Sequence, residues 1–260
     1  MVDKGQLAAT ETPLTMVTCY DASFARLCAK AGGLDYVLVG DSMGMVVYGQ
    51  ENTNGVSLRQ MMEHVAAVKR GLQNSGEKIL PIIIADMPAG TYEFPEEAID
   101  SANKLIEAGA EIVKLEGPVT EVVAALDTEG IRVCGHIGLT PQSIHDYKLQ
   151  GKTPEDANRL FREAKELELA GVELLVLEMI PRSLAAGITN ALKIPTIGIG
   201  AGPECSGQVL VLYDLLGLNL KFQPRFLKRF ADGELWVEEA LRSYRDEVVR
   251  RDFPSKENSF

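Results

Sequence analysis

The chain has 260 residues, 46% of them hydrophobic and 24% charged, the composition of a soluble globular protein rather than a disordered, collagen-like or coiled-coil one. Lys and Arg number 26 against 37 Asp and Glu, a net charge of -11, and no basic block stands out that would neutralise a row of phosphates, so nucleic acid is a poor partner. No stretch approaches the roughly 18 apolar residues of a membrane helix, and the opening MVDKGQLAATETP has no apolar signal core, so a cytoplasmic protein is expected.

Short apolar runs of the kind that form fully buried strands alternate with segments of helical period. They are LTMVTCY from Leu14, YVLVG from Tyr36, PIIIAD from Pro81, EIVKLEG from Glu111, RVCGH from Arg132, ELLVLE from Glu173 and PTIGIG from Pro195, with a weak eighth at 218–222. Between the runs, Leu58, Met62, Val65, Val68 and Leu72 fall on one helical stripe, as do Val237, Leu241, Tyr244 and Val248. Strands alternating with helices imply right-handed crossovers and a parallel sheet. With no linker or compositional break, a single domain over residues 1–260 is expected, an α/β (β/α)8 barrel with a C-terminal amphipathic helix. A doubly wound open sheet is the alternative, but Tyr20-Asp21-Ala22-Ser23-Phe24 after the first run carries no glycine of a dinucleotide fingerprint. Trp236 lies off the Val237–Val248 stripe, and a subunit contact that covers it is expected. The four cysteines, Cys19, Cys28, Cys134 and Cys205, have no CxxC spacing and read as buried thiols.

In a parallel barrel the chemistry sits where strands end. Asp41 and Ser42 follow YVLVG, Asp86 follows PIIIA, Lys114 and Glu116 lie in IVKLEG, His136 follows RVCG and Glu178 follows ELLVL. The two-residue strand period places Ile112, Lys114 and Glu116 on one face. Taken singly, each has a structural explanation: Asp41 and Asp86 as helix caps, Lys114 and Glu116 as an ion pair, His136 as a hydrogen-bonded core histidine. Glu178, after four apolar residues, is the hardest to explain that way. Their coincidence at successive strand ends offers carboxylates for a hard divalent cation, a lysine for an anionic substrate and a spare carboxylate for proton transfer. Weaker signals are Gly198-Ile199-Gly200-Ala201-Gly202, which suits a tight turn as well as an anion; His64, a surface or core-edge histidine; and His145, in a loop that could be a lid.

Six segments carry a specific resemblance: VLVGDSMGMVVYGQENT from Val37, IADMPAGTYEFPEEA from Ile84, GAEIVKLEG from Gly109, VCGHIGLTPQS from Val133, LLVLEMIP from Leu174 and IPTIGIGAGPECSGQVLVLYDLLGL from Ile194. In this order the chain resembles the 3-methyl-2-oxobutanoate (ketopantoate) hydroxymethyltransferase family. The resemblance implies a barrel of the phosphoenolpyruvate/pyruvate type, a Mg2+ ion, 5,10-methylenetetrahydrofolate as one-carbon donor, a role in pantothenate biosynthesis and a homo-oligomer, commonly a decamer. It also implies that Asp41, Asp86 and Glu116 associate with the metal, that Ser42 and Lys114 contact the substrate, and that Glu178 accepts the proton. His136 is expected near substrate or metal shell, its role open. The chain departs from the family pattern at Asn54-Gly55-Val56-Ser57, Pro88-Ala89-Gly90-Thr91-Tyr92, Ser206 and Tyr213. Two other readings compete: a carbon-carbon lyase acting on an α-keto acid, which would need a catalytic cysteine that 142–153 does not contain, and a barrel that merely binds a metabolite.

Overall fold

The computed structural model describes residues 12–143, 148–219 and 223–260, which divide into two compact units at Val211 and Leu212. Up to Val211 the chain is a closed barrel of eight parallel strands in sequence order: β1 (Leu14–Thr18), β2 (Tyr36–Val39), β3 (Ile82–Asp86), β4 (Ile112–Lys114), β5 (Val133–Gly138), β6 (Leu174–Glu178), β7 (Thr196–Ile199) and β8 (Gly207–Leu210). Its helices are α1 (Ala22–Ala31), the single turn α2 (Met43–Val46), α3 (Leu58–Gln73), α4 (Pro95–Ala108), α5 (Thr120–Thr128), α6 (Pro154–Ala170) and α7 (Arg182–Ala191). The expected barrel is therefore the fold. The eighth strand is Gly207–Leu210, which closes on β1 with Leu14 opposite Gly207; of the weak run expected at 218–222, residues 220–222 lie outside the described residues. Val209 is the one inward apolar side chain of β8 in the core cluster, too little for a run of residues to announce itself as a strand.

Alternation along each strand sends every second side chain inward. Leu14, Met16, Tyr36, Leu38, Ile84, Ile112, Cys134, Leu174, Val176, Ile197 and Val209 meet in one buried cluster. Local signals set the helices around it. Asp21 caps α1 by accepting from Ser23 N and Phe24 N at 2.7 and 3.0 Å, Ser57 and Gln60 form a capping box on α3, and Thr153 caps α6. The four cysteines are free and buried.

The unit from Leu212 contains α8 (Leu212–Leu215), α9 (Gly233–Arg250) and a 3-10 turn at Lys256–Asn258. Phe230 N and Gly233 N donate to Leu215 O and Leu216 O at 2.8 Å each, drawing the start of α9 back to α8. No α9 residue is buried, and its apolar stripe is exposed, though less than Trp236. Among the described residues no helix is long and apolar enough to cross a membrane.

Candidate active site

One step along the strands from the apolar cluster, the same inward alternation turns polar. Above Ile84 stands Asp86, above Ile112 stands Lys114, above Cys134 stands His136 and above Val176 stands Glu178. The inward position above Leu38 is Gly40, where a Cβ would come within 2.9 Å of Ser42 Oγ and 3.4 Å of Asp86 Oδ2. Its missing side chain leaves room for these two groups. Strand register thus carries the chemistry: Asp86 is the partner of Lys114 across β3 and β4.

The expected residues fall into two groups. In the first, Lys114 Nζ donates to Asp86 Oδ1 at 2.6 Å and Asp41 N donates to Asp86 Oδ2 at 2.9 Å. In the second, His136 stands between two carboxylates, Nδ1 3.2 Å from Glu116 Oε1 and Nε2 3.2 Å from Glu178 Oε2. Neither contact has hydrogen-bond alignment, and both ring nitrogens lack a directed partner, so charge rather than directional bonding holds the imidazole there. Ser42 Oγ is hydrogen-bonded to Tyr20 OH at 2.9 Å. Neither aspartate caps a helix, since Ser42 is the cap residue of α2 and Phe94 that of α4, and Lys114 pairs with Asp86 rather than Glu116.

Gln142, Tyr92 and Tyr20 are the site residues that strand-end reasoning missed. Gln142 joins the two groups, donating from Nε2 to Asp41 Oδ2 at 2.8 Å and from its backbone N to Glu116 Oε2 at 2.9 Å. Tyr92 OH donates to Gln142 Oε1 at 2.5 Å. His64 also has a place near the site: Nδ1 lies 2.5 Å from the carbonyl of Tyr20, which can only accept, and Nε2 lies 2.7 Å from Tyr48 OH. Asn54, where the chain departs from the family pattern, donates to the Gln142 carbonyl at 3.1 Å. Ser206, another departure, bonds through Oγ to Thr196 N at 3.1 Å, a structural contact between β7 and the start of β8. His145 lies outside the described residues.

Glu178 is fixed from behind. A Cβ on Gly138, at φ +99°, would lie 2.2 Å from the Glu178 carbonyl, and this close approach lets Leu139 N donate to it at 2.9 Å. Met179 follows at φ +49°, a left-handed conformation uncommon outside glycine. The Glu178 side chain is 17% exposed against 3% for His136, so it is the member of its group open to a ligand.

Four carboxylates, Asp41, Asp86, Glu116 and Glu178, share the mouth with two basic side chains. Burial works against the charge of His136, as does Lys114, yet Glu116 and Glu178 prevail and raise it to about 9. Burial would raise Glu116, but His136, Lys114 and the Gln142 N–H hold it below the ordinary carboxylate range. Burial, then Asp86 and Glu116, push Asp41 well up, against Lys114 and Gln142. Fully ionised, with His136 protonated, the set would carry two excess negative charges, which a divalent cation would neutralise. Among the described residues no group of three or more His, Cys, Asp or Glu is arranged to hold a metal. The adjacent pair Asp41 and Asp86 fits Mg2+, which is commonly held through one or two carboxylates with substrate and water completing the shell.

The fold is shared with solved barrels. The chain matches 2,3-dimethylmalate lyase, a PEP mutase/isocitrate lyase superfamily member, at TM-score 0.63 and 16% identity over 97% of this chain and 85% of that one. It matches phosphonopyruvate hydrolase in complex with oxalate and Mg2+ at TM-score 0.59 and 12% identity over 95% and 88%. Sequence relatives are far nearer. The chain is 50% identical over 254 residues, 95% of its length and 82% of the relative's, to the 3-methyl-2-oxobutanoate hydroxymethyltransferase of Anaeromyxobacter dehalogenans. To that of Nitrosomonas eutropha it is 46% identical over 264 residues, 99% and 93% of the two chains. The ketopantoate hydroxymethyltransferase family model spans residues 3–256, so barrel and mouth together fall within the match, and the chain belongs to that family.

Proposed function

We propose that this chain transfers a hydroxymethyl group from 5,10-methylenetetrahydrofolate to 3-methyl-2-oxobutanoate, giving 2-dehydropantoate (ketopantoate) for pantothenate biosynthesis, with Mg2+ as cofactor. The observation that carries this reading is the inward polar row Asp86, Lys114, His136 and Glu178 on four successive strands, in a chain of this family. Asp41 and Asp86 would hold the Mg2+, which when bound supplies Lewis acidity that makes the C3 proton of an α-keto acid easier to remove. Lys114 places positive charge against the substrate carboxylate. Ser42, oriented by Tyr20 OH, contacts the same end of the substrate.

Glu178 takes the C3 proton on its carboxylate. His136, 3.2 Å away, balances the charge on that side of the site. The C3 carbanion forms a bond to the methylene carbon of the folate, water supplies the oxygen of the new hydroxymethyl group, both bonds from that carbon to the folate nitrogens break, and the proton taken from C3 and the one released by the water end on those two nitrogens. A homo-oligomer in the cytoplasm completes the reading, the oligomer supported by the exposed Trp236, Leu241 and Tyr244 on α9. The test is formation of ketopantoate from 3-methyl-2-oxobutanoate and methylenetetrahydrofolate with Mg2+ and with chelator. Turnover with Mg2+ and none with chelator is expected; equal turnover in both would sink the metal dependence, and no product in either would sink the substrate assignment.

A further inference from the structure

We propose that Gln142 is a positioning residue that joins the two halves of the site and sets the Asp41 carboxylate for a divalent cation. This rests on the reading of Asp41 as a metal ligand. Every polar group of Gln142 is committed. Tyr92 OH donates to Oε1 at 2.5 Å, which assigns the amide so that the two Nε2 hydrogens go to Asp41 Oδ2 at 2.8 Å and Met87 O at 3.0 Å. The backbone N–H goes to Glu116 Oε2 at 2.9 Å, and the backbone carbonyl takes Asn54 Nδ2 at 3.1 Å.

One residue therefore restrains a carboxylate at the end of β2 and another beyond the end of β4. Asp86 is restrained independently, by Lys114 and by the Asp41 N–H. With Gln142 in place, both carboxylates meet a cation already oriented, and neither side chain has to be ordered at the moment of binding. Without it, Asp41 would have to be ordered when the cation binds. Glu116 would lose its link to the metal pair, because its other oxygen faces His136.

The experiment measures Mg2+ binding by titration calorimetry, without substrate, on the full chain. The wild type is compared with Gln142→Leu, Tyr92→Phe and Asp41→Asn, each checked for cooperative melting. Removing a hydrogen bond to a metal ligand commonly costs 10- to 100-fold in affinity, and that range is expected for Gln142→Leu. Tyr92→Phe keeps the amide but frees its oxygen, so a smaller loss is expected. A purely structural role would lower the melting temperature equally with and without Mg2+ and leave the affinity unchanged. If Asp41→Asn loses Mg2+ while Gln142→Leu binds like the wild type, the proposal is overturned and the metal reading stands. If Asp41→Asn binds like the wild type, the metal reading fails and the proposal with it. Should Gln142→Leu not fold, unchanged affinity in Tyr92→Phe overturns the proposal by itself.

Discussion

Lys114 donates to Asp86 at 2.6 Å with the two side chains only 5% and 3% exposed. A pair this deeply buried is weak evidence for stability, because desolvation of both charges offsets their attraction. The ammonium sits in the inward row of the barrel, where the β3–β4 register delivers it to the mouth. Burial works against its charge, but Asp86, Glu116 and Asp41 outweigh burial and keep the lysine protonated.

Replacing Lys114 by Met would keep the volume and leave Asp86, Asp41 and Glu116 without their lysine. Breaking a buried pair by removing one partner costs on the order of 3 to 5 kcal/mol. The expected result in metal-free buffer is a loss of that order in denaturant titrations, partly restored by millimolar Mg2+, together with weaker keto-acid binding. A variant as stable as the wild type under chelation would show that Lys114 does not hold the carboxylates together.

The Tyr20–Ser42 hydrogen bond of 2.9 Å gives a smaller, separable expectation. Tyr20→Phe removes the hydroxyl and leaves the ring, costing about 1 kcal/mol for one net hydrogen bond, or roughly fivefold in KM for the keto acid with little change in kcat. His64 holds the same tyrosine by its backbone carbonyl, so His64→Phe should shift KM in the same direction. An unchanged KM in both variants would remove Ser42 from the substrate contacts.

Which parts of the site could be read in advance follows from periodicity. Asp86, Lys114 and Glu178 were legible because each ends an apolar strand, and His136 because it lies within one, where the two-residue alternation dictates inward or outward. Gln142, Tyr92 and Tyr20 lie beyond strand ends, where no period applies, and their partners are distant in sequence, 101 residues from Gln142 to Asp41 and 50 from Tyr92 to Gln142. The resemblance block VCGHIGLTPQS ends one residue past Gln142, a signal that could have flagged it. For the eighth strand the fault was different: Gly207 has no side chain, and Gln208 is exposed, so the strand lacks a pattern until β1 pairs with it.

Acid should loosen the described end of the loop that begins at Gln142. Asp156, on the first turn of α6, accepts from Gly151 N and from Arg159. Slight burial opposes ionisation, but Arg159 and the Gly151 N–H hold the carboxyl below its ordinary value. A depressed folded value means the contribution is present above the unfolded Asp value, about 3.9, and is lost as pH falls below it. Melting curves of wild type and Asp156→Asn should differ near neutrality and converge toward pH 3; a constant gap would assign the effect to something other than this carboxylate.

Trp236 is 73% exposed, with Leu241 at 62% and Tyr244 at 58% on the same helix. Single exposed apolar residues are ordinary, but a row of them on one helix marks a surface that another copy can cover. Sedimentation should give a species several times the 28.3 kDa chain, and Trp236→Arg should reduce its size or raise its dissociation constant. A monomer at micromolar concentration would refute the oligomer.

The proton step is the most direct test of the site. If Glu178 removes the C3 proton, the Mg2+-loaded enzyme should exchange that proton of 3-methyl-2-oxobutanoate with D2O in the absence of folate, because proton loss precedes bond formation to the one-carbon unit. Glu178→Gln preserves size but removes the charge that faces His136 and cannot accept the proton. It should lose both exchange and turnover by ~10²- to 10⁴-fold, the usual effect of a general base, while still binding keto acid. Lys114→Met should instead weaken binding along with rate, since its charge acts on the substrate carboxylate in ground and transition states alike. His136 is the one other titratable group in contact with Glu178 among the contacts described, so it supplies the alternative. Exchange at the wild-type rate in Glu178→Gln, abolished in His136→Gln, would move the base one residue inward.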